Sequence, residues 1–136
     1  MKRIFVDSGG FFALLVSEDR FHVQAVQLFK QARQGPWSLI TTNSVVVETY
    51  ALFLSRARNG RDAAVGFLDL VDAGLCDVER VMVEDERFAS DLVRAHRDKL
   101  YSLCDALSFA VMERLSVREA IAFDRHFREY GKFVIL

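Results

Sequence analysis

Ile4-Phe5-Val6-Asp7-Ser8-Gly9-Gly10 is the stretch on which the reading of the fold turns. Three consecutive apolar residues form a short buried strand, Asp7 to Gly10 turns the chain, and Phe11 to Val16 resumes at helical spacing. A strand that is apolar on both faces belongs in a parallel sheet covered on both sides. The same pattern recurs outward from this start. His22 to Arg33 has helical spacing and is stopped by Gln34-Gly35-Pro36, and Leu39 to Thr42 is a second strand. Asn43 or Ser44 is expected to cap a helix from Val45 to Arg58, and a further helix spans Arg61 to Ala73 between two glycines. Cys76-Val78-Arg80 alternates as a strand, and Glu84-Asp85-Glu86 suits the positive end of a helix beginning there. Ser102 to Asp105 has the form of a capping box opening a helix from Ala106 to Leu115. Ala120 to Phe123 and Phe133 to Leu136 are the last two strands. Strand and helix alternate, which predicts an α/β fold in three layers: a short, mostly parallel sheet with helices on both faces.

Composition agrees with one compact unit. The 136 residues are 51% hydrophobic and 27% charged, no segment is rich in Pro, Ser or Gly, and a single domain over 1–136 is expected. A formal net charge of -1 excludes a protein that holds nucleic acid by bulk positive charge, while leaving local basic patches open. Cys76 and Cys104 lack any CxxC context and sit in apolar stretches, so reduced thiols are expected rather than a disulfide or a zinc site. The start Met1-Lys2-Arg3 reaches Asp7 after only three apolar residues, too few for a signal-peptide core, and no run is long enough to span a membrane. A cytoplasmic protein is expected.

Four carboxylates are candidates for one crevice. Asp7 and Asp124 end strands, Glu48 lies in the early turns of a helix after the second strand, and Asp105 lies in the first turn of another helix. In open α/β sheets, ligands bind outside the carboxyl ends of the strands, which is where such residues point. Oxygen-only ligands suit Mg²⁺ or Mn²⁺ better than Zn²⁺, because no His or Cys cluster accompanies them. An ion held there activates water and offsets charge on a phosphodiester. Each acid also has a structural reading. Asp7 and Asp105 are good helix caps, Glu48 is a helix residue with apolar neighbours, and Asp124 can form a turn paired with Arg125. His126 reads as a packed or partly exposed side chain and is left out of the catalytic set.

Other chemistries built on an aspartate after the first strand fit poorly. Haloacid-dehalogenase-type phosphatases need a second aspartate where this chain has Gly9, a phospho-accepting receiver domain needs an acidic neighbour that Asp7 lacks, and no Walker-type phosphate loop occurs.

At four blocks the sequence resembles the PIN-domain family, especially the VapC-type toxins of toxin–antitoxin modules. The blocks are Ile4-Phe5-Val6-Asp7-Ser8; Thr42-Asn43 followed by Glu48; Ser102-Leu103-Cys104-Asp105-Ala106-Leu107-Ser108-Phe109-Ala110-Val111-Met112; and Ala122-Phe123-Asp124-Arg125-His126-Phe127. Their order, spacing and the chain length agree with the family together, and the third is the most specific. The resemblance implies an endoribonuclease with Asp7 and Asp105 as principal Mg²⁺ (or Mn²⁺) ligands. Glu48 and Asp124 would complete the pocket directly or through water, and Ser102 would assist by hydrogen bonding. It further implies a homodimer, an RNA substrate and a cognate antitoxin. A PIN nuclease of RNA processing outside any toxin pair, and a catalytically silent PIN fold that binds RNA or protein, are the alternatives. Retention of all four acids disfavours the silent form.

Arg56, Arg58 and Arg61 around Asn59-Gly60, and Arg125 and Arg128 beside the fourth acid, are candidate RNA contacts, because guanidinium groups pair bidentately with phosphate. A solvated helix end is their alternative reading. The apolar helices Phe11 to Val16 and Ala63 to Val71 offer independent support for a dimer if one small core cannot hide them.

Overall fold

The computed structural model of the protein describes residues 2–136; Met1, the first residue of the start read above, lies outside them. Among the described residues the elements run β1 (Lys2–Val6), α1 (Ser8–Leu15), α2 (His22–Gln34), β2 (Trp37–Thr42), α3 (Asn43–Arg56), α4 (Gly60–Asp72), β3 (Asp77–Glu79), α5 (Val83–Ala95), α6 (Leu103–Arg114), β4 (Glu119–Ile121), α7 (Arg125–Tyr130) and β5 (Val134–Ile135). The five strands form one sheet in the order β3-β2-β1-β4-β5, and every pairing is parallel. The α/β expectation with helices on both faces holds, and the sheet is more uniformly parallel than expected.

β1 shows why both faces need cover. Ile4, Phe5 and Val6 are each fully buried. Phe5 faces the layer of α6 and α7, where its ring lies 6.2 Å from that of Phe127, itself packed edge-on against Phe109. Val6 faces the opposite layer, against α1. There, Phe11 of α1 packs on Phe29 of α2 and Phe67 of α4, and Phe53 of α3 joins them. Gly10 lets α1 come down this close, since a Cβ there would lie 3.0 Å from Val6 Cγ1 and 3.1 Å from the Ile121 carbonyl oxygen.

Several boundaries differ from the expected ones for physical reasons. α1 begins at Ser8, inside the predicted turn, because Gly9 and Gly10 are helical here; the value of Gly10 is close approach to the sheet rather than a bend. The cap of α3 is Thr42, whose hydroxyl accepts from the Val45 amide at 3.1 Å; neither Asn43 nor Ser44 caps it. Asn43 is used elsewhere, its Oδ1 accepting from the Val81 amide at 2.9 Å and so fastening the segment after β3 to the start of α3. β3 is confined to Asp77–Glu79, and β4 ends at Ile121, so Asp124 follows its strand by three residues rather than directly. The short helix α7 was not anticipated. No helix among the described residues is long and apolar enough to cross a membrane.

The strand order sets where a site can form. The chain winds from β1 to β2 and β3 on one side, then returns to lay β4 and β5 on the other. The reversal falls between β1 and β4, and a crevice opens outside the carboxyl ends of strands at such a point.

Candidate active site

Asp7 sits at the floor of that crevice. It follows β1 immediately, its amide donates to the Ile121 carbonyl of β4 at 3.1 Å, and only 1% of the residue is exposed. It occupies the N-cap position of α1 but makes no side-chain capping hydrogen bond, and Oδ1 is buried with no partner. The local reading as a helix cap is therefore wrong for Asp7. A buried oxygen left unpaired costs stability in an otherwise well-packed chain, so its position needs another explanation.

Asp105 and Asp124 supply one. One carboxylate oxygen from each of Asp7, Asp105 and Asp124 lies within 4.8 Å of the others. Asp105 is buried in the first turn of α6, where the capping box is complete: its amide donates to Ser102 Oγ at 2.9 Å, and its Oδ2 accepts from the Ser102 amide at 3.0 Å. The box occupies one oxygen and locks the side chain, so the structural and chemical readings of Asp105 are compatible. Ser102 touches Asp105 through this box alone, by its amide and its hydroxyl. Asp124, exposed at the rim, caps α7 through Oδ1, which accepts from the His126 amide at 2.8 Å. Its suggested partner Arg125 pairs with Glu129 instead, at 3.0 Å.

Glu48 is half-buried beside this trio rather than within it. Its Oε1 accepts from the Ser8 hydroxyl at 2.6 Å, which ties the first turn of α1 to α3. Sequence reasoning missed Ser8 in this role, because the hydrogen bond joins residues forty apart and leaves no local signal. Cys104 is a free thiol, half-buried against the core, and burial, followed by the charges of Glu48, Asp7 and Asp105, pushes it well above the ordinary range. Cys76 is buried, with its thiol raised to about 11 mainly by burial.

The electrostatics follow from crowding. Burial raises Asp7 well above a normal carboxylate, and Asp124, Asp105 and Glu48 raise it further. Burial also lifts Asp105, to about 6; the Ser102 amide and the nearby His126 oppose the shift, and Asp124 adds to it. Acids gathered this closely repel one another and any phosphate that approaches. The donor set fits a hard divalent cation: all ligands are oxygen, three converge, and one buried oxygen lacks a hydrogen bond.

The candidate arginines are not gathered into this trio. Arg56, Arg58 and Arg61 are exposed around the C-terminal end of α3, with Arg56 roughly 12 Å of helix beyond Glu48. Arg125 and Arg128 are exposed on α7, which Asp124 caps.

Comparison with known proteins matches the same elements. A family model described as a PIN domain matches residues 4–133. The chain is 34% identical over 128 residues, 94% of each sequence, to the 23S rRNA-specific endonuclease VapC20 of Mycobacterium tuberculosis. The crystal structure of that sarcin-ricin loop cleaving toxin superposes with a TM-score of 0.88 at 33% identity, covering 98% of both chains. VapBC2 from Rickettsia felis, crystallised with a DNA fragment from its promoter, superposes with a TM-score of 0.69 over 98% of this chain and 97% of the other. At 7% identity, that second likeness speaks for the fold alone.

Proposed function

The chain belongs to the PIN-domain family, and from that premise we propose that it is a divalent-metal-dependent endoribonuclease acting as the toxin of a toxin–antitoxin pair. The observation that carries this reading is the convergence of Asp7, Asp105 and Asp124 around a buried oxygen without a partner. Asp7 and Asp105 are the principal ligands, and Asp124 and Glu48 complete the pocket directly or through water. The cation is Mg²⁺ or Mn²⁺. When bound, such an ion supplies the positive charge that activates water and offsets charge building on the phosphodiester.

The protein's own part is positioning. The Ser102 amide and hydroxyl hold Asp105 through the capping box, the Ser8 hydroxyl aims Glu48, and the His126 amide fixes Asp124 at the rim. Side chains held this way need no reorganisation when substrate arrives. Arg125 and Arg128 lie on the helix that follows the rim and suit contacts to the RNA backbone there; Arg56, Arg58 and Arg61 suit a strand running along α3.

Likeness to a 23S rRNA-specific endonuclease favours ribosomal RNA as the substrate, and with it a cytoplasmic setting and a cognate antitoxin. The reading as a single PIN domain over 1–136 is supported by the family match to residues 4–133. Phe11 to Val16 is buried or half-buried and offers no surface for a homodimer, which is supported instead by apolar side chains left exposed on α2, α3 and α4, among them Val23, Leu54 and Val65.

The test is cleavage of bacterial ribosomal RNA by the purified protein. Cleavage in Mg²⁺ is expected to vanish in EDTA and to fall by about two orders of magnitude or more in Asp7→Asn and Asp105→Asn, with the circular dichroism spectrum unchanged. Cutting that survives chelation and both substitutions would refute the assignment.

A further inference from the structure

Immediately before Asp124 stands Phe123, and its ring lies flat against Phe21 with centroids 4.7 Å apart and planes 5° from parallel. Phe21 comes from the connection between α1 and α2, at the N-cap position of α2, where its amide donates to Asp19 Oδ2 at 2.9 Å. Phe123 packs on the hydrophobic core, whereas Phe21 is absent from that core and is half-buried. The Arg20 guanidinium sits over the Phe21 ring, 4.5 Å from its centroid. Since Phe123 fills one face of the ring, Arg20 covers the other. The ring thus lies one stacking distance from the residue preceding a pocket acid, is capped by an exposed guanidinium, and takes no part in the hydrophobic core.

The geometry points to Phe21 as a stacking platform for an unpaired RNA base next to the scissile phosphate, an inference that rests on the ribonuclease reading above. The base takes the face of Phe21 that Arg20 covers, and the freed guanidinium pairs with the adjoining phosphate. Three features support a nucleobase over an apolar peptide. The platform is flat and two rings deep, it carries its own phosphate-binding cation, and it adjoins the acids proposed to act on a phosphodiester. Unpaired bases in RNA loops are unstacked, and aromatic rings and guanidinium planes receive them. Phe123 is the positioning residue of this pair, setting the plane of Phe21 through the stack.

The experiment combines a protein substitution with a base deletion. Once the bond that the wild-type protein cuts in ribosomal RNA is mapped, a short hairpin spanning it is synthesised with the base removed at each flanking position in turn. Phe21→Ala is expected to lose roughly ten-fold or more in kcat/KM on the intact hairpin, and Phe21→Trp to retain wild-type cleavage. One abasic position costs the wild type a similar factor, and Phe21→Ala becomes indifferent to it. Melting temperatures of both variants guard against a folding artefact, which the recovered activity of Phe21→Trp also excludes. Cleavage by Phe21→Ala equal to wild type, or an abasic penalty undiminished in that variant, overturns the platform while leaving the ribonuclease reading intact. If Phe21→Ala weakens only binding of an antitoxin peptide, the surface serves a protein partner and the inference is wrong. No metal-dependent cleavage of any RNA by the wild type sinks both readings together.

Discussion

A buried carboxylate surrounded by other acids costs the folded chain stability unless a cation joins them, and at Asp7 and Asp105 that cost has a readable sign. Both have pKa values raised by burial, Asp105 to about 6. The folded state therefore holds these protons more tightly than the unfolded chain does, so stability falls as pH climbs from the unfolded carboxylate value near about 4 through about 6. In EDTA, the protein is expected to melt several degrees lower at about pH 7 than at about pH 5.5, and saturating Mg²⁺ should restore the loss chiefly at the higher pH. Asp7→Asn removes a carboxyl whose ionisation burial and the neighbouring acids oppose. It should raise the melting temperature of the metal-free protein by about 3 °C or more, while abolishing both the gain on adding Mg²⁺ and the cleavage. Calorimetry with and without chelator checks both, and a drop in metal-free stability for Asp7→Asn contradicts the account. Sequence alone was divided at this scale. It offered capping for Asp7, and only the three-dimensional arrangement shows an oxygen with nothing to cap.

Helix α6 shows how an element carries two tasks at once. Its N-terminus holds Asp105, and its C-terminus sends Arg114 across to Asp85 of α5, with Nε at 2.9 Å from Oδ1 and Nη2 at 2.9 Å from Oδ2. Asp85 is buried and Arg114 partly exposed, so the pair belongs between the surface and buried classes. Burial pushes the Asp85 carboxyl up, and its hydrogen bonds from Arg114 and the Met82 amide overcome this and leave it below the usual range. Arg114→Ala is expected to cost about 2 kcal/mol in urea denaturation at neutral pH. The difference from wild type should shrink as pH falls below about 4, where Asp85 takes up a proton. A cost that is unchanged at low pH would mean Arg114 acts by packing alone. The box opening α6 was legible from Ser102 and Asp105 because it is local. Thr42 was overlooked as the cap of α3 because it is also the last residue of β2. α7 escaped notice because six residues are too short to display a helical period.

Across the whole molecule, the reach of sequence reasoning follows the range of the interaction. Alternating strands and helices fixed the fold class, and the rule that crevices open beyond strand ends gathered Asp7, Asp105 and Asp124 from positions far apart in the chain. What it could not supply were contacts without a local pattern: Ser8 to Glu48, Asn43 to Val81, and Phe21 on Phe123. The arginines around the end of α3 are exposed as a helix end requires, and they lie along that helix from the acids. The most direct trial of the central claim is anomalous diffraction from crystals soaked in Mn²⁺. A strong peak bonded to the carboxylates of Asp7 and Asp105, and lost in Asp7→Asn crystals, is the predicted result. A crevice without a peak, in crystals of protein that still cuts RNA in the same Mn²⁺ buffer, would contradict it.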